Sequence, residues 1–176
     1  MLTRMATVQD LEEIQSIHMH AFSKEENKLV SKIAINLLSR KTKPQTISIV
    51  SETDNTIVGH IAFSPVTSDK DDKFLGYILA PLGVEPSFQK RGIGSKLVET
   101  GIHLLSTMKV DTLFVYGDPD YYRRFGFSSE EAVSYTPPYK LEYPSGWQSL
   151  VLREHDIPHP PIPITCVDSL CDPELW

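Results

Sequence analysis

The chain has 176 residues, 40% hydrophobic and 23% charged, with a formal net charge of −6. That size suits one globular domain with a substantial core, and the acidic balance argues against broad, nonspecific nucleic-acid binding. No run approaches the eighteen or so apolar residues of a membrane span, and the N-terminus lacks a basic stretch leading into an apolar one, so a cytoplasmic protein with no membrane partner is expected. In chain order, Thr3 to Ala6 reads as a short first strand. Thr7 with Asp10 three residues on has the shape of a capping box before the apolar stripe Leu11, Ile14, Ile17 and Ala21, so a helix follows from about Val8. Glu25 to Arg40 carries Leu29, Ile33 and Leu37 at fourfold spacing and predicts a second helix, which Pro44 closes off. Ile47 to Glu52 and Thr56 to Phe63 are rich in β-branched residues and flank Asp54-Asn55, the pattern of an antiparallel hairpin. Pro65 to Lys73 reads as a polar loop. Phe74 to Val84 predicts a fourth strand, Ser95 to Met108 an amphipathic helix, Thr112 to Tyr116 a fifth strand and Pro119 to Arg124 a short helix. Ala132 to Tyr135 and Gln148 to Arg153 are the last two expected strands, with Pro137-Pro138 and Pro144-Ser145-Gly146 breaking the chain between them.

Two features of this order bear on chemistry. Pro81 and Gly83 fall inside the fourth strand, where one offers no ladder donor and the other no side chain to pack, so they predict a bulge or a strand parting from its neighbour. Such a strand has free backbone groups with which an extended, amide-bearing ligand can pair; the plainer alternative is a strand that ends early. Directly downstream, Gln89-Lys90-Arg91-Gly92-Ile93-Gly94 and Ser95 lead from strand into helix. Two glycines let a ligand approach the backbone, and the helix start offers unpaired N–H groups and the positive end of its dipole, which suits a diphosphate. The pattern lacks the Gly-Lys-Ser/Thr ending of a P-loop and the three-glycine dinucleotide fingerprint. Alone, Gly-x-Gly before a helix is equally a tight entry turn.

The run Gln89-x-x-Gly92-x-Gly94 resembles the cofactor turn of the GCN5-related N-acetyltransferase (GNAT) family, and Leu79-Ala80-Pro81-Leu82-Gly83-Val84-Glu85-Pro86 looks like the strand that precedes it. Downstream, Gly117-Asp118-Pro119-Asp120-Tyr121-Tyr122-Arg123-Arg124-Phe125-Gly126-Phe127 is similar to the segment after the family's fifth strand, with Tyr122 four residues before the Gly126-Phe127 pair, and the combination is similar to the YhbS-like subfamily. The resemblance implies an α/β (mixed α+β) fold: a central, mostly antiparallel twisted sheet with a splayed fourth and fifth strand pair, flanked by helices. It implies a GNAT domain over residues 1–156, with a Pro-rich tail, 157–176, docked on it. It further implies acetyl-CoA as cosubstrate, with no metal, and direct transfer of acetyl to a primary amine of a small molecule, protein or peptide; a homodimer is compatible. Leu82, Gly83 and Val84 are then expected along pantetheine, and Gln89, Lys90, Arg91, Gly92, Ile93, Gly94 and Ser95 around the diphosphate.

Transfer to an amine raises two protonation problems. An alkylamine with a pKa of about 10.4 is mostly protonated at neutral pH, and the departing thiolate gains from a proton because a thiol pKa is about 8.5. Position in the motif makes Tyr122 the candidate acid, with Tyr121 its rival; a phenol stays protonated at neutral pH. Glu85, at the end of the fourth strand, is the candidate base, and a solvated strand end is its plainer reading. His60, Asp118 and bulk water are alternatives, although Asp118 also suits a cap on the helix that follows. His18-x-His20 places two rings about 200° apart on a helix and reads as surface or boundary packing. Tyr135, Tyr139, Tyr143 and Trp147 fall on the acceptor side of such a fold, or in its core.

His155-x3-His159 and Cys166-x4-Cys171 have ligand-like spacings, but Pro158, Pro160, Pro161 and Pro163 extend the chain between them and argue against a compact metal site. The tail keeps Ile162, Ile164, Leu170, Leu175 and Trp176, which favours docking over disorder. Two other functions compete with an enzyme acting on small or peptide amines: a noncatalytic acyl-CoA sensing module, and an RNA-associated acetyltransferase, which the acidic charge disfavours.

Overall fold

The computed structural model describes the whole chain, Met1 to Trp176. It divides into two compact units, 1–63 with 80–101 and 64–79 with 102–176. β3 (Thr56–Ser68), β4 (Phe74–Val84) and α3 (Ile93–Thr107) run through both.

The first unit carries β1 (Leu2–Met5), α1 (Leu11–Ala21), α2 (Asn27–Ser39) and β2 (Ile47–Thr53). β1, β2 and β3 are antiparallel, pairing Met5 with Ile49 and Ile49 with Ile61, with an irregularity at Ser51/Glu52. The hairpin turn is the expected Asp54-Asn55, both left-handed at φ 51° and 58°, the geometry of a type I′ turn that these residues tolerate. Ile14 and Ile17 of α1 bury against Ala34, Val50 and Ile57, so the predicted stripe is the core face of the helix. The Asp10 carboxylate accepts from the Thr7 N–H at 2.7 Å and from both Arg4 guanidinium NH groups at 2.8 and 2.9 Å. Arg4 is the larger cause holding Asp10 down to about 2.

The second unit is built on β5 (Thr112–Tyr116), with α4 (Pro119–Tyr122), α5 (Ser129–Ala132), β6 (Tyr135–Thr136), β7 (Trp147–Val151) and β8 (Ile162–Thr165). β4 pairs with β5 in parallel from Gly76↔Thr112 to Leu79↔Val115, and β7 runs antiparallel on β5's other side. The parallel ladder ends there, ahead of Pro81 and Gly83. Phe114 is the hub of this core, stacked on Trp147 at 5.5 Å and edge-on to Tyr135 at 4.9 Å.

Three elements differ from the sequence reading. The expected loop from Pro65 is strand as far as Ser68, because β3 pairs with β4, with the Ser68 N–H donating to the Lys73 carbonyl at 2.8 Å, and because the tail adds a partner: β8 pairs Thr165 and Ile164 with Thr67 and Ser68, and also runs parallel to β6. In place of a strand over Ala132 to Tyr135 there is a helical turn, α5, whose start Ser128 caps by accepting from the Glu130 N–H at 3.1 Å, and only Tyr135 and Thr136 are strand. Arg124 lies in a 3-10 turn, Arg123–Phe125, rather than in α4. The sheet mixes antiparallel and parallel pairs within an α/β architecture. No helix is long and apolar enough to cross a membrane.

Candidate active site

The first unit holds the glycine turn. Lys90 and Gly92 both adopt positive φ, 60° and 79°, and α3 begins immediately after, at Ile93. Left-handed residues alternating with one of ordinary φ turn peptide N–H groups to one side and form a concave anion seat, to which the first N–H groups of a helix add. Nothing lies within 4 Å of where a Gly92 side chain would start, so the backbone there is open to a ligand. Gln89 and Lys90 are exposed, as are Arg91 and Gly92, while Ile93 turns into the core. The Gln89 amide donates to the Val84 carbonyl at 3.1 Å and so ties the turn to the end of β4. The Arg91 guanidinium lies 5.1 Å over the Phe88 ring.

Where β4 ends, Glu85 is not a lone carboxylate. Its Oε2 lies 3.2 Å from His20 Nδ1, with the two side chains 29% and 57% exposed. Two residues earlier, Gly83 backs onto the other α1 histidine: a Cβ at this position would stand 2.7 Å from His18 Nδ1 and 2.8 Å from its Cε1. His18 Nε2 is 2.7 Å from His60 Nδ1, and His60 Nε2 is 2.7 Å from Ser48 Oγ. Both rings are fully buried. Burial lowers His18 to about 4 and, as the first cause, His60 well below the ordinary imidazole range. His60 therefore faces the His18 ring rather than an open cleft.

The second unit holds Tyr122. Asp118 caps α4 by accepting from the Asp120 N–H at 2.9 Å, the role its sequence context suggested, and this fixes the turn that carries the tyrosine. The Tyr122 ring is buried edge-on against Phe127 at 5.6 Å and Tyr121 at 5.0 Å. Gly117 is needed beneath it, since a Cβ there would stand 2.6 Å from the ring. Burial first, then Tyr121 and Asp118, raises the phenol pKa, so it stays a proton donor. Tyr121 is tied up differently, with the Arg124 guanidinium 4.2 Å over its ring. In the same unit a cavity of about 980 Å³ is lined by Tyr135, Tyr139 and Trp147 with Pro137 and Pro138. Tyr143, grouped with these aromatics in the sequence, is 66% exposed.

The profile of the Acetyltransferase (GNAT) family matches residues 11–127. The chain belongs to this family. It is 33% identical over 158 residues, 86% of its length, to an Escherichia coli K12 protein described as an uncharacterized N-acetyltransferase, YjhQ, and covers 84% of that protein. Among solved structures it resembles the Escherichia coli GNAT-family N-acetyltransferase YhbS in complex with CoA, with TM-score 0.72 and 26% identity over 86% of this chain and 81% of that one. It also resembles a Brucella melitensis GNAT-family acetyltransferase in complex with acetyl-CoA, with TM-score 0.65 and 31% identity over 89% and 90% of the two chains.

For a GNAT N-acetyltransferase, the residue that sequence reasoning misplaced is His18. Its signal was present: His18 lies four residues after Ile14 and so shares the buried stripe of α1, whereas His20 does not. One member of each ligand-like pair of the tail, His155 and Cys171, is otherwise engaged. His155 Nδ1 pairs with the Arg153 carbonyl at 2.8 Å, and its Nε2 lies 3.2 and 3.1 Å from the Thr112 and Tyr135 hydroxyls. The Cys171 thiol donates to the Cys166 and Val167 carbonyls.

Proposed function

We infer that this acetyltransferase moves an acetyl group from acetyl-CoA to a primary amine, of a small molecule or of a protein or peptide, by direct attack with both substrates bound. The observation that carries this reading is the turn at Lys90 and Gly92, with two left-handed residues opening onto a fifteen-residue helix. Such a turn concentrates backbone donors where a diphosphate can sit. The CoA and acetyl-CoA in the two solved relatives support the same assignment. Lys90, Arg91, Gly92, Ile93 and Gly94, with Ser95, serve the diphosphate, and Gln89 braces the turn. Leu82, Gly83 and Val84 offer main-chain groups to pantetheine. The cosubstrate supplies a thioester, an acyl group already activated for attack.

Tyr122 is the acid that protonates the leaving thiolate. Its ring is held on three sides by Gly117, Tyr121 and Phe127, and its raised pKa keeps the phenol protonated at neutral pH. Glu85, shared with His20, puts a negative charge at the strand end that attracts a cationic amine.

The test has two readouts. Millimolar acetyl-CoA should raise the melting temperature, because a ligand that binds only the folded state stabilises it. With a panel of spermidine, lysine, a lysyl peptide, benzylamine and hydroxylamine, at least one amine should release free thiol. Tyr122→Phe should lower kcat on the order of 10²-fold or more with acetyl-CoA affinity unchanged. Stabilisation without thiol release from any amine would overturn the catalytic reading in favour of a sensing module, and no stabilisation would overturn both.

A further inference from the structure

The indole of Trp176 is built into the second unit. The residue is 8% exposed, and its Nε1–H donates to the Leu170 carbonyl at 3.0 Å, which fixes the ring in its plane. The ring stacks on Tyr116, with centroids 5.9 Å apart and planes 5° from parallel, and leans on Trp147 at 6.0 Å and on Tyr139 at 6.3 Å. Offset stacking at this spacing is a favourable aromatic contact, and an indole pinned by its own N–H makes it a stiff one. Its partner matters for chemistry. Tyr116 is the last residue of β5, and the chain runs on through Gly117 and Asp118 into α4, the turn that carries Tyr122.

Tyr116 and Gly117 form the joint between the sheet and that turn. Besides the indole, the Tyr116 ring meets Gly146, where a Cβ would stand 3.0 Å from its Cε1, and the Tyr116 hydroxyl accepts from the Tyr143 N–H at 2.9 Å. The Gly117 N–H donates to the Gly146 carbonyl at 3.0 Å, and the Gly117 carbonyl accepts from the buried Gln148 amide at 3.3 Å. The Tyr122 ring then rests on Gly117 itself, since a Cβ there would stand 2.6 Å away. Its other ring neighbours, Tyr121 and Phe127, belong to the same 118–127 segment. That segment is tied to β7 at its far end, where Ser128 and Ser149 exchange backbone hydrogen bonds at 2.9 and 3.0 Å. At the end beside the Tyr122 ring, the tie is the Tyr116-Gly117 joint. A helix of four residues has too few internal hydrogen bonds to orient itself. The Asp118 cap fixes its shape, and the joint fixes its direction.

We propose that Trp176 is a positioning residue for Tyr122: by stacking on Tyr116 it holds the end of β5 where α4 leaves the sheet, and so sets where the phenol stands when the thiolate departs. This rests on the acid role given to Tyr122 above. The tail thereby takes part in the reaction without touching a substrate. Proton donation depends steeply on placement, and a shift of about 1 Å at a reacting group can cost on the order of 10²-fold in rate.

Trp176→Leu keeps apolar volume and loses the flat contact with Tyr116, whereas Trp176→Phe keeps a ring to stack. With the panel amine that wild type turns over fastest, Trp176→Leu should lower kcat roughly tenfold or more, with acetyl-CoA Kd and amine KM within about twofold of wild type. Trp176→Phe should recover most of the loss. Tyr116→Leu breaks the same stack from the β5 side and should repeat the pattern, which keeps the contact testable if Trp176→Leu does not fold. The decisive readout is a double-mutant cycle in kcat. Once Tyr122→Phe has removed the phenol, its placement no longer matters, so breaking the stack should cost less than about twofold further. A stack variant within about twofold of wild type in kcat would overturn the proposal. So would losses that multiply with that of Tyr122→Phe, or that vanish when rates are corrected for the folded fraction. A Tyr122→Phe protein as fast as wild type would instead overturn the acid role itself.

Discussion

His18 and His20 stand two residues apart near the end of α1, and both turn towards β4, yet they are chemically opposite groups. His18 is fully buried, 2.7 Å from another imidazole and held neutral, with its pKa lowered to about 4. His20 is 57% exposed and 3.2 Å from the Glu85 carboxylate. Two positions on a helix differ by about 200°, enough to carry one ring into the core and the other into solvent. In water an imidazole beside a carboxylate gains little, because solvent already stabilises both charges. In the core, the missing solvent decides the charge and makes each hydrogen bond consequential.

The largest expected difference between the pairs is in their response to acid. The unfolded chain binds a proton on a histidine near pH 6.5, whereas folded His18 resists it down to about 4. Between those values the unfolded state holds more protons, so stability rises with pH. The contribution of His18 is complete above about 6.5 and is lost as pH falls towards 4, a difference on the order of 3 kcal/mol. His60 acts in the same direction. Asp10 enters lower, its contribution lost only as pH falls from 3.8 towards about 2. Urea midpoints from pH 7 to 4.5 should therefore decline in wild type, and the decline should flatten in His18→Leu. A wild-type curve flat over this range would show that the buried pair takes up protons as readily when folded as when unfolded.

The second effect is steric and belongs to the buried pair alone. Gly83→Ala would place a methyl carbon 2.7 Å from His18 Nδ1 and 3.3 Å from an Ile17 methyl. Either the ring must tilt away from His60 or β4 must back off, and overpacking of this kind costs about 1–3 kcal/mol. In a His18→Ala background the same change should cost far less, so a double-mutant cycle on thermal stability should show strong coupling. Additive effects would mean that His18 does not sit on the strand as described.

Most of the framework was legible because its signals are local. β4 and β5 follow from continuous apolar runs, the hairpin from Asp54-Asn55, and the buried face of α1 from Ile14 and Ile17. The glycine turn was legible as backbone chemistry through Gly92, whereas the left-handed Lys90 was not foreseen and the second glycine, Gly94, lies inside α3. What escaped depends on partners distant in sequence. Pro65 to Ser68 is strand because it pairs with β4 just beyond the turn and, at Thr67 and Ser68, with β8, about a hundred residues on. The polar chain likewise needs Ser48, His60 and Gly83 folded onto α1, and no window of sequence contains all four elements. His18 occupies a core position by spacing, but its polarity suggested a boundary, and only the tertiary partner explains how a histidine is accommodated there.

The smallest expected effect sharpens the comparison from its exposed side. His20→Ala and Glu85→Gln should each lower stability by less than about 1 kcal/mol, and their coupling in a double-mutant cycle should be about 0.5 kcal/mol or below at low salt. Raising the salt to 1 M should erase that coupling, because at that concentration screening acts within about 3 Å. The reasoning turns on exposure. With side chains 57% and 29% accessible, water competes for every interaction the pair makes. A cycle that returned well over 1 kcal/mol and ignored salt would mean that the pair is desolvated in solution. The last turn of α1 would then be held on β4 from both sides.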